Sequence, residues 1–278
     1  MIKILVDSSS DYTMTEIANN GFHFVPLNIL LGGKHYRDGI ELKPDDFYEL
    51  LISSGDFPKT SQPSPQDFAD IFEDAKAKGD EIICILLSSA LSGTCQSAHL
   101  AKDMVDYEGI YIIDSLAATV MIKFMGDYAA KLIAEGLNAK EIVSKVENMR
   151  KNIKVVAALD TLEYLCKGGR LSRASATIGE LANLKPIITV TDEGKVAVIG
   201  KCLGKNKALN FIINYLKENA RDTEFPLYTL YSYGEENTEK LEERLTKEEL
   251  SYDDRVQLGS TIGAHIGPGA FAILYVAK

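Results

Sequence analysis

The sequence predicts an α/β fold in two parts, an N-terminal Rossmann-like parallel sheet over residues 1–153 and a smaller C-terminal α+β domain over residues 154–278. Three observations predict it. Short apolar runs, Ile2 to Val6, Ile82 to Leu87 and Ile110 to Ile113, are each followed by an amphipathic stretch of helical spacing, the pattern of βαβ units around a parallel sheet. Each of these runs ends in small polar residues: Asp7-Ser8-Ser9-Ser10-Asp11, Ser88-Ser89 and Asp114-Ser115. The carboxyl ends of parallel strands form a common crevice, so three hydroxyl-rich loops should crowd one rim. Beyond residue 153, Val155 to Leu159, Ile187 to Val190, Val196 to Ile199, Leu227 to Tyr231 and Phe271 to Val276 read as further strands. Asp192-Glu193-Gly194 supplies the hairpin chemistry that joins two of them.

The helices follow from their start signals. Ser64 before Pro65 is a cap and first-turn pair, opening a helix over Gln66 to Lys76. Ser88 to Ala98 passes from a strand through a hydroxyl-rich turn into a helix, with Ser92 at or near its N-cap. Lys140 to Asn152, Lys205 to Glu218 and Glu235 to Thr246 are charged helices, and the Glu- and Lys-rich run Glu235 to Glu249 is a solvated face.

Bulk numbers exclude several classes. The 278 residues carry 46% hydrophobic and 25% charged side chains, a globular composition. A net charge of −10 repels nucleic acid and anionic membrane surfaces, so an anionic ligand must be held by local groups. Asp7 interrupts the first apolar run at once, no run approaches a membrane span, and the chain reads as cytoplasmic. Cys84, Cys95, Cys166 and Cys202 are widely spaced, which argues against a metal knuckle, a redox pair or a disulfide framework, and Cys84 belongs to the core. No P-loop or G-x-G-x-x-G follows a strand, so a bound nucleotide is disfavoured.

Four segments could carry chemistry. Ile262 to Ala270 holds His265 on backbone that glycines and Pro268 shape, which places the imidazole in a turn before the last strand. Ser92 stands before unpaired helix amides that an anion can use. Lys59 to Pro65 is extended by its prolines and offers Thr60 and Ser61 as neutral donors. Lys167, Arg170 and Arg173, around Gly168-Gly169, form a basic spot on an acidic chain, either paired with nearby carboxylates or used to dock a partner or meet a phosphoryl group. An alternative reading makes Ser92 the nucleophile of an ester hydrolase, with His265 as base and Asp7 or Asp114 orienting it. Against it, Leu91-Ser92-Gly93-Thr94 lacks the G-x-S-x-G elbow. Phosphorylation of His265 itself is a third reading. His23, His35 and His99 are structural or incidental, and no pair has metal-ligand spacing.

Taken together, Asp7 to Asp11, Thr60-Ser61-Gln62-Pro63-Ser64, Leu91 to Thr94, Cys166 to Ser172 and Gly263 to Gly269 occur in the order and spacing of the DegV family, which the chain resembles from end to end. The resemblance implies a fatty-acid-binding protein, the FakB-like subunit of a bacterial fatty acid kinase. Such a protein holds one long-chain fatty acid between its two α/β domains and is not itself an enzyme. It would present the carboxylate to a separate kinase subunit that makes the acyl phosphate, feeding phospholipid synthesis. By motif, the carboxylate would be bound by Thr60, Ser61, Ser92, Gly93, Thr94 and His265, while Lys167, Arg170 and Arg173 would lie near the head group or the docking face. The fatty acid would be the sole ligand, with no cofactor, no metal, no nucleic acid and no membrane-integral segment, and the simplest expectation is a monomer.

Overall fold

The computed structural model describes residues 1–172 and 183–278, and Arg173 lies outside the described residues. Strand β1 (Ile2–Asp7) leads through a 3-10 turn to α1 (Met14–Asn20) and β2 (His23–Val25). A hairpin of β3 (Asn28–Leu31) and β4 (Lys34–Arg37) precedes α2 (Pro44–Ser54), after which β5 (Lys59–Ser61) returns to β3. Next come α3 (Pro65–Lys78), β6 (Glu81–Leu86), α4 (Thr94–Val105), β7 (Ile110–Asp114), α5 (Val120–Ala134) and α6 (Ala139–Met149). The remainder comprises β8 (Ile153–Ala158), α7 (Glu163–Lys167), β9 (Leu184–Val190), β10 (Val196–Leu203), α8 (Lys205–Glu218) and β11 (Tyr228–Tyr231). It closes with α9 (Glu236–Lys247), β12 (Asp254–Gln257), α10 (Ser260–Ile266) and β13 (Phe271–Val276).

The expected parallel sheet is present, in the order β2-β1-β6-β7. Its central strand β6 is buried beyond its first residue, because helices cover both faces, and Cys84 sits in that core. The carboxyl ends of β1, β6 and β7 stand side by side, so the three polar loops do share a rim. Most of that polarity is consumed locally. Asp7 accepts from the Leu87 amide at 2.7 Å and from Ser9, Ser89 donates to Asp114, and Ser115 donates to the Ala117 carbonyl.

The second sheet has six strands in the order β10-β9-β8-β13-β11-β12 and is mixed, with β11 and β12 parallel and the other pairs antiparallel. The turn at Asp192 to Gly194 makes the expected β9–β10 hairpin. Alternation along β8 splits the core in two: Val155 and Ala157 face the parallel sheet, whereas Val156 and Ala158 pack under α8 and α9. A third sheet, β4-β3-β5, was not expected, and neither was α2. Pro26 breaks the apolar run Phe24 to Leu31, so β2 joins the parallel sheet while β3 turns away to build the small one.

The start of α3 is as expected: Ser64 accepts from the Asp67 amide, and the Asp67 carboxylate accepts from the Ser64 amide, a reciprocal capping box. Ser92 stands near the start of α4, as expected: the N-cap is Gly93, one residue later, and the Ser92 hydroxyl pairs with Thr94 Oγ1 at 2.9 Å. One local expectation needs correction. His265 is not in a turn but in the last turn of α10, and the turn starts at Gly267 with φ +74°. The helix includes Gly263 because a Cβ there would lie 2.5 Å from the Tyr48 hydroxyl and 2.8 Å from the Phe47 ring; close approach to α2, not backbone freedom, requires glycine.

Candidate functional site

Between the two larger sheets lies a cavity. The six-stranded sheet supplies its floor through Val155, Ala157, Ile188 and Ala272. In one row across the strands Leu230, Ala272, Ala157 and Ile188 are direct neighbours, so two alanines lie between larger side chains and leave a trough. Leu27, Leu87 and Ala118 come from the rim of the parallel sheet, and Ile262 and Ile266 from α10. The lining is almost wholly apolar, the character of a site that takes its affinity from a hydrocarbon ligand.

Polar groups gather around Arg170. Thr60, Ser92, Arg170 and His265 all line the cavity. β5 carries Thr60 opposite α10, and the Thr60 hydroxyl stands 2.8 Å from His265 Nε2. His265 Nδ1 is buried, faces Gly168, and finds no partner among the described residues. A buried orphan N–H costs more than an orphan lone pair, so the proton belongs on Nε2, which donates to Thr60 Oγ1. The Thr60 hydroxyl hydrogen is then free to donate into the cavity. Burial, reinforced by the Arg170 charge, lowers the His265 pKa to about 4, so the ring is neutral at neutral pH.

Arg170 turns inward rather than outward. Its Nε donates to the Leu91 carbonyl at 2.9 Å and a terminal nitrogen donates to the Gly168 carbonyl at 2.5 Å, which ties the α7 turn to the Ser92 loop. Desolvation lowers its pKa below the usual guanidinium value, yet it remains a cation beside three neutral hydrogen-bonding side chains.

The other expected residues are placed differently. Thr94 is buried at the start of α4 behind Ser92, Gly93 is covered by the Gln62 side chain, and Ser61 is exposed on β5; none of the three lines the cavity. Lys167 pairs with Glu163 at 2.9 Å and lies 3.3 Å over the Phe57 ring, on the outside of α7. A hydrolytic triad is not assembled: Ser92 bonds Thr94, His265 bonds Thr60, and Asp7 and Asp114 are committed to backbone amides and serines of the rim. Among the described residues no cluster of three or more metal-ligating side chains occurs, and no helix is long and apolar enough to cross a membrane. Residues missed in the sequence are Thr119, Thr189 and Thr261, which also line the cavity; only contacts across the fold bring them there, and the Thr189 hydroxyl is spent on the Val155 carbonyl at 2.7 Å.

The fold and site thus define a class: a paired-sheet α/β protein with an apolar chamber whose polar end is built of two hydroxyls, a neutral imidazole and an arginine. The chain belongs to the DegV family, whose model, described as an uncharacterised protein family, matches residues 1–278. A DegV domain-containing protein of Caldanaerobacter subterraneus subsp. tengcongensis is 39% identical over 279 residues, covering 100% of this chain and 99% of its own. A solved DegV family protein from Thermus thermophilus, described for its fatty acid binding, superposes with TM-score 0.89 at 31% identity, covering 100% of this chain and 99% of that one. A stearic-acid-binding protein from Eubacterium ventriosum superposes with TM-score 0.89 at 27% identity, with the same coverage.

Proposed function

We propose that this chain binds one long-chain fatty acid in the cavity between its sheets, with the carboxylate held by Thr60 and Ser92 while His265 orients the Thr60 hydroxyl, and presents that carboxylate to a separate kinase that phosphorylates it. The observation that carries this reading is the apolar chamber with its one polar cluster around Arg170. The fatty acid binding of the Thermus thermophilus and Eubacterium ventriosum proteins supports it.

The chemistry divides the work between tail and head. Burying about fifteen methylenes at roughly 0.8 kcal/mol each contributes on the order of 10 kcal/mol before association costs, so affinity comes from the tail. The head group needs orientation more than strength. Thr60 and Ser92 donate neutral hydrogen bonds, His265 fixes the Thr60 donor, and the carboxylate keeps the electron density with which it attacks a phosphorus atom. Arg170 has its Nε and one terminal nitrogen engaged by carbonyls, so it supplies charge near the anion without a full bidentate clamp on it. Ser61, Gly93 and Thr94 shape the same loops, and Lys167, on the outside of α7, belongs to the surface that meets the kinase.

The test is reconstitution with a bacterial fatty acid kinase subunit, ATP and a long-chain fatty acid, reading acyl phosphate. Wild type should support its formation, and Thr60→Val and Ser92→Ala should reduce it while folding normally. Turnover without the chain would remove the presenting role, and turnover equal to wild type in both variants would remove the head-group assignment. Release of fatty acid from a simple ester by the chain alone would favour hydrolysis instead.

A further inference from the structure

A second hollow lies behind α10, a cleft that borders Ser8, Asp11, Asp38 and Gly259. The partition between this cleft and the acyl cavity is built from two threonine–aspartate pairs. Thr119 and Thr261 line the acyl cavity, and Asp11 and Asp38 line the cleft. Thr119 Oγ1 donates to Asp11 Oδ2 at 2.5 Å, and Thr261 Oγ1 donates to Asp38 Oδ2 at 2.5 Å. The same carboxylates hold the beginning of α10: the Gly259 amide donates to Asp11 at 2.9 Å and the Thr261 amide to Asp38 at 3.2 Å.

We propose that Asp11 and Asp38 are positioning residues of the acyl site, drawing the hydroxyls of Thr119 and Thr261 out of the cavity so that this wall meets the ligand with methyl groups, and anchoring the helix that carries His265. This rests on the fatty-acid reading above and says which acids that cavity refuses. A threonine offers a methyl and a hydroxyl from one carbon, so whichever way the hydroxyl is drawn the methyl turns opposite. With both hydroxyls drawn to the cleft side, a hydroxylated acyl chain crossing this wall finds no partner and loses its water. His265 lies four residues after Thr261, about 6 Å along the helix, so an anchor at one end sets the imidazole at the other. The arrangement is costly to keep. Burial raises Asp11 to about 7, the Asp38 charge adding to it, and burial raises Asp38 from the ordinary carboxylate value, while Thr119 is held at φ +60°, ψ −149°, a conformation residues other than glycine rarely adopt.

The experiment measures dissociation constants of the delipidated full chain for stearate and for a positional series of monohydroxystearates. Wild type should bind stearate, and should reject at least one positional isomer by about tenfold or more. Asp38→Ala frees the Thr261 hydroxyl and should shrink that gap to within about threefold, and adding Thr261→Val to it should restore the gap. Asp11→Ala with Thr119→Val forms the matching pair. A merely structural role for the aspartates would lower the melting temperature in single and double variants alike and leave the gap untouched. An unchanged gap in Asp38→Ala, no recovery in the double variant, or a wild type that takes every isomer as well as stearate overturns the proposal. Failure of wild type to bind stearate at all would instead overturn the fatty-acid reading beneath it. If Asp38→Ala does not fold, Thr261→Val alone decides: unchanged affinities support the outward hydroxyl, and a tenfold change for either ligand overturns it.

Discussion

Gly168 offers a test of the head-group site by a single carbon atom. Its φ of −74° and ψ of −12° suit alanine, so in open space Gly168→Ala would stabilise the fold by about 0.4–1 kcal/mol through the unfolded chain. The space is not open. A Cβ at Gly168 would lie 2.3 Å from His265 Nδ1, 2.8 Å from Cε1 and 3.0 Å from the Tyr164 carbonyl, so the ring must move by about 1 Å to reach ordinary contact. It cannot retreat along its own axis, because Thr60 Oγ1 stands 2.8 Å from Nε2. The ring therefore swings aside, and the Nε2–Thr60 bond is lost with Thr60 no longer oriented. Losing a buried hydrogen bond costs about 1–3 kcal/mol, which predicts fatty-acid binding weaker by about 5- to 150-fold and a lower melting temperature despite the favourable backbone. Titration calorimetry with palmitate and thermal unfolding of the ligand-free chain give both readouts. Binding within twofold of wild type, together with a raised melting temperature, would refute the placement of His265 against Gly168 and the donor assignment built on it.

Other expectations follow from the same geometry. The His265 pKa of about 4 lies below the 6.5 of a free imidazole, so its contribution, about 3 kcal/mol at most, is present above pH 6.5 and lost as pH falls through 6.5 towards 4; His265→Asn should flatten that acid limb in denaturant unfolding. Asp11 has the opposite sign: raised from 3.8 to about 7 chiefly by burial, it favours the fold below pH 3.8 and loses that contribution as pH rises to 7. The melting temperature of Asp11→Asn minus that of wild type should therefore climb between pH 4 and pH 7. Gly194, at φ +72°, lets the β9–β10 hairpin tip reach Ser88, whose hydroxyl donates to the Gly194 carbonyl at 2.9 Å. Gly194→Ala would bring a Cβ to 2.1 Å from that hydroxyl oxygen and 2.9 Å from Leu116 Cα, so it should lower stability by about 1–3 kcal/mol and speed ligand release in stopped-flow displacement.

Where local signals decide structure, the sequence was readable. The unbroken apolar run of β6 announced a strand buried on both faces, Ser64-Pro65 announced α3, and Asp192 to Gly194 announced a hairpin. The small sheet escaped notice because β4 and β5 are short and mostly polar, and their pairing depends on contacts that periodicity does not carry. His265 was placed in a turn because Gly263 and Gly267 read alike as turn residues. One is a close approach to α2 and the other a true positive-φ position. The motif segments led to Thr60, Ser92, Arg170 and His265, all of which line the cavity, but they left Arg170 open between the head group and a docking face. Gly169 at φ +76° turns the chain back after α7, and spacing in the sequence does not show where that turn sends the arginine. Thr119 and Thr261 had no signal at all, since their meaning depends on Asp11 and Asp38, more than a hundred residues away in sequence.

The central claim is that the chamber holds one long-chain fatty acid by its tail with the carboxylate at Thr60. Native mass spectrometry of the purified chain, followed by solvent extraction and identification of what is released, tests it most directly. The account predicts one long-chain fatty acid per chain, bound or taken up when offered, with occupancy reduced in Thr60→Val. A chain that is empty when purified and stays empty in excess palmitate would contradict it.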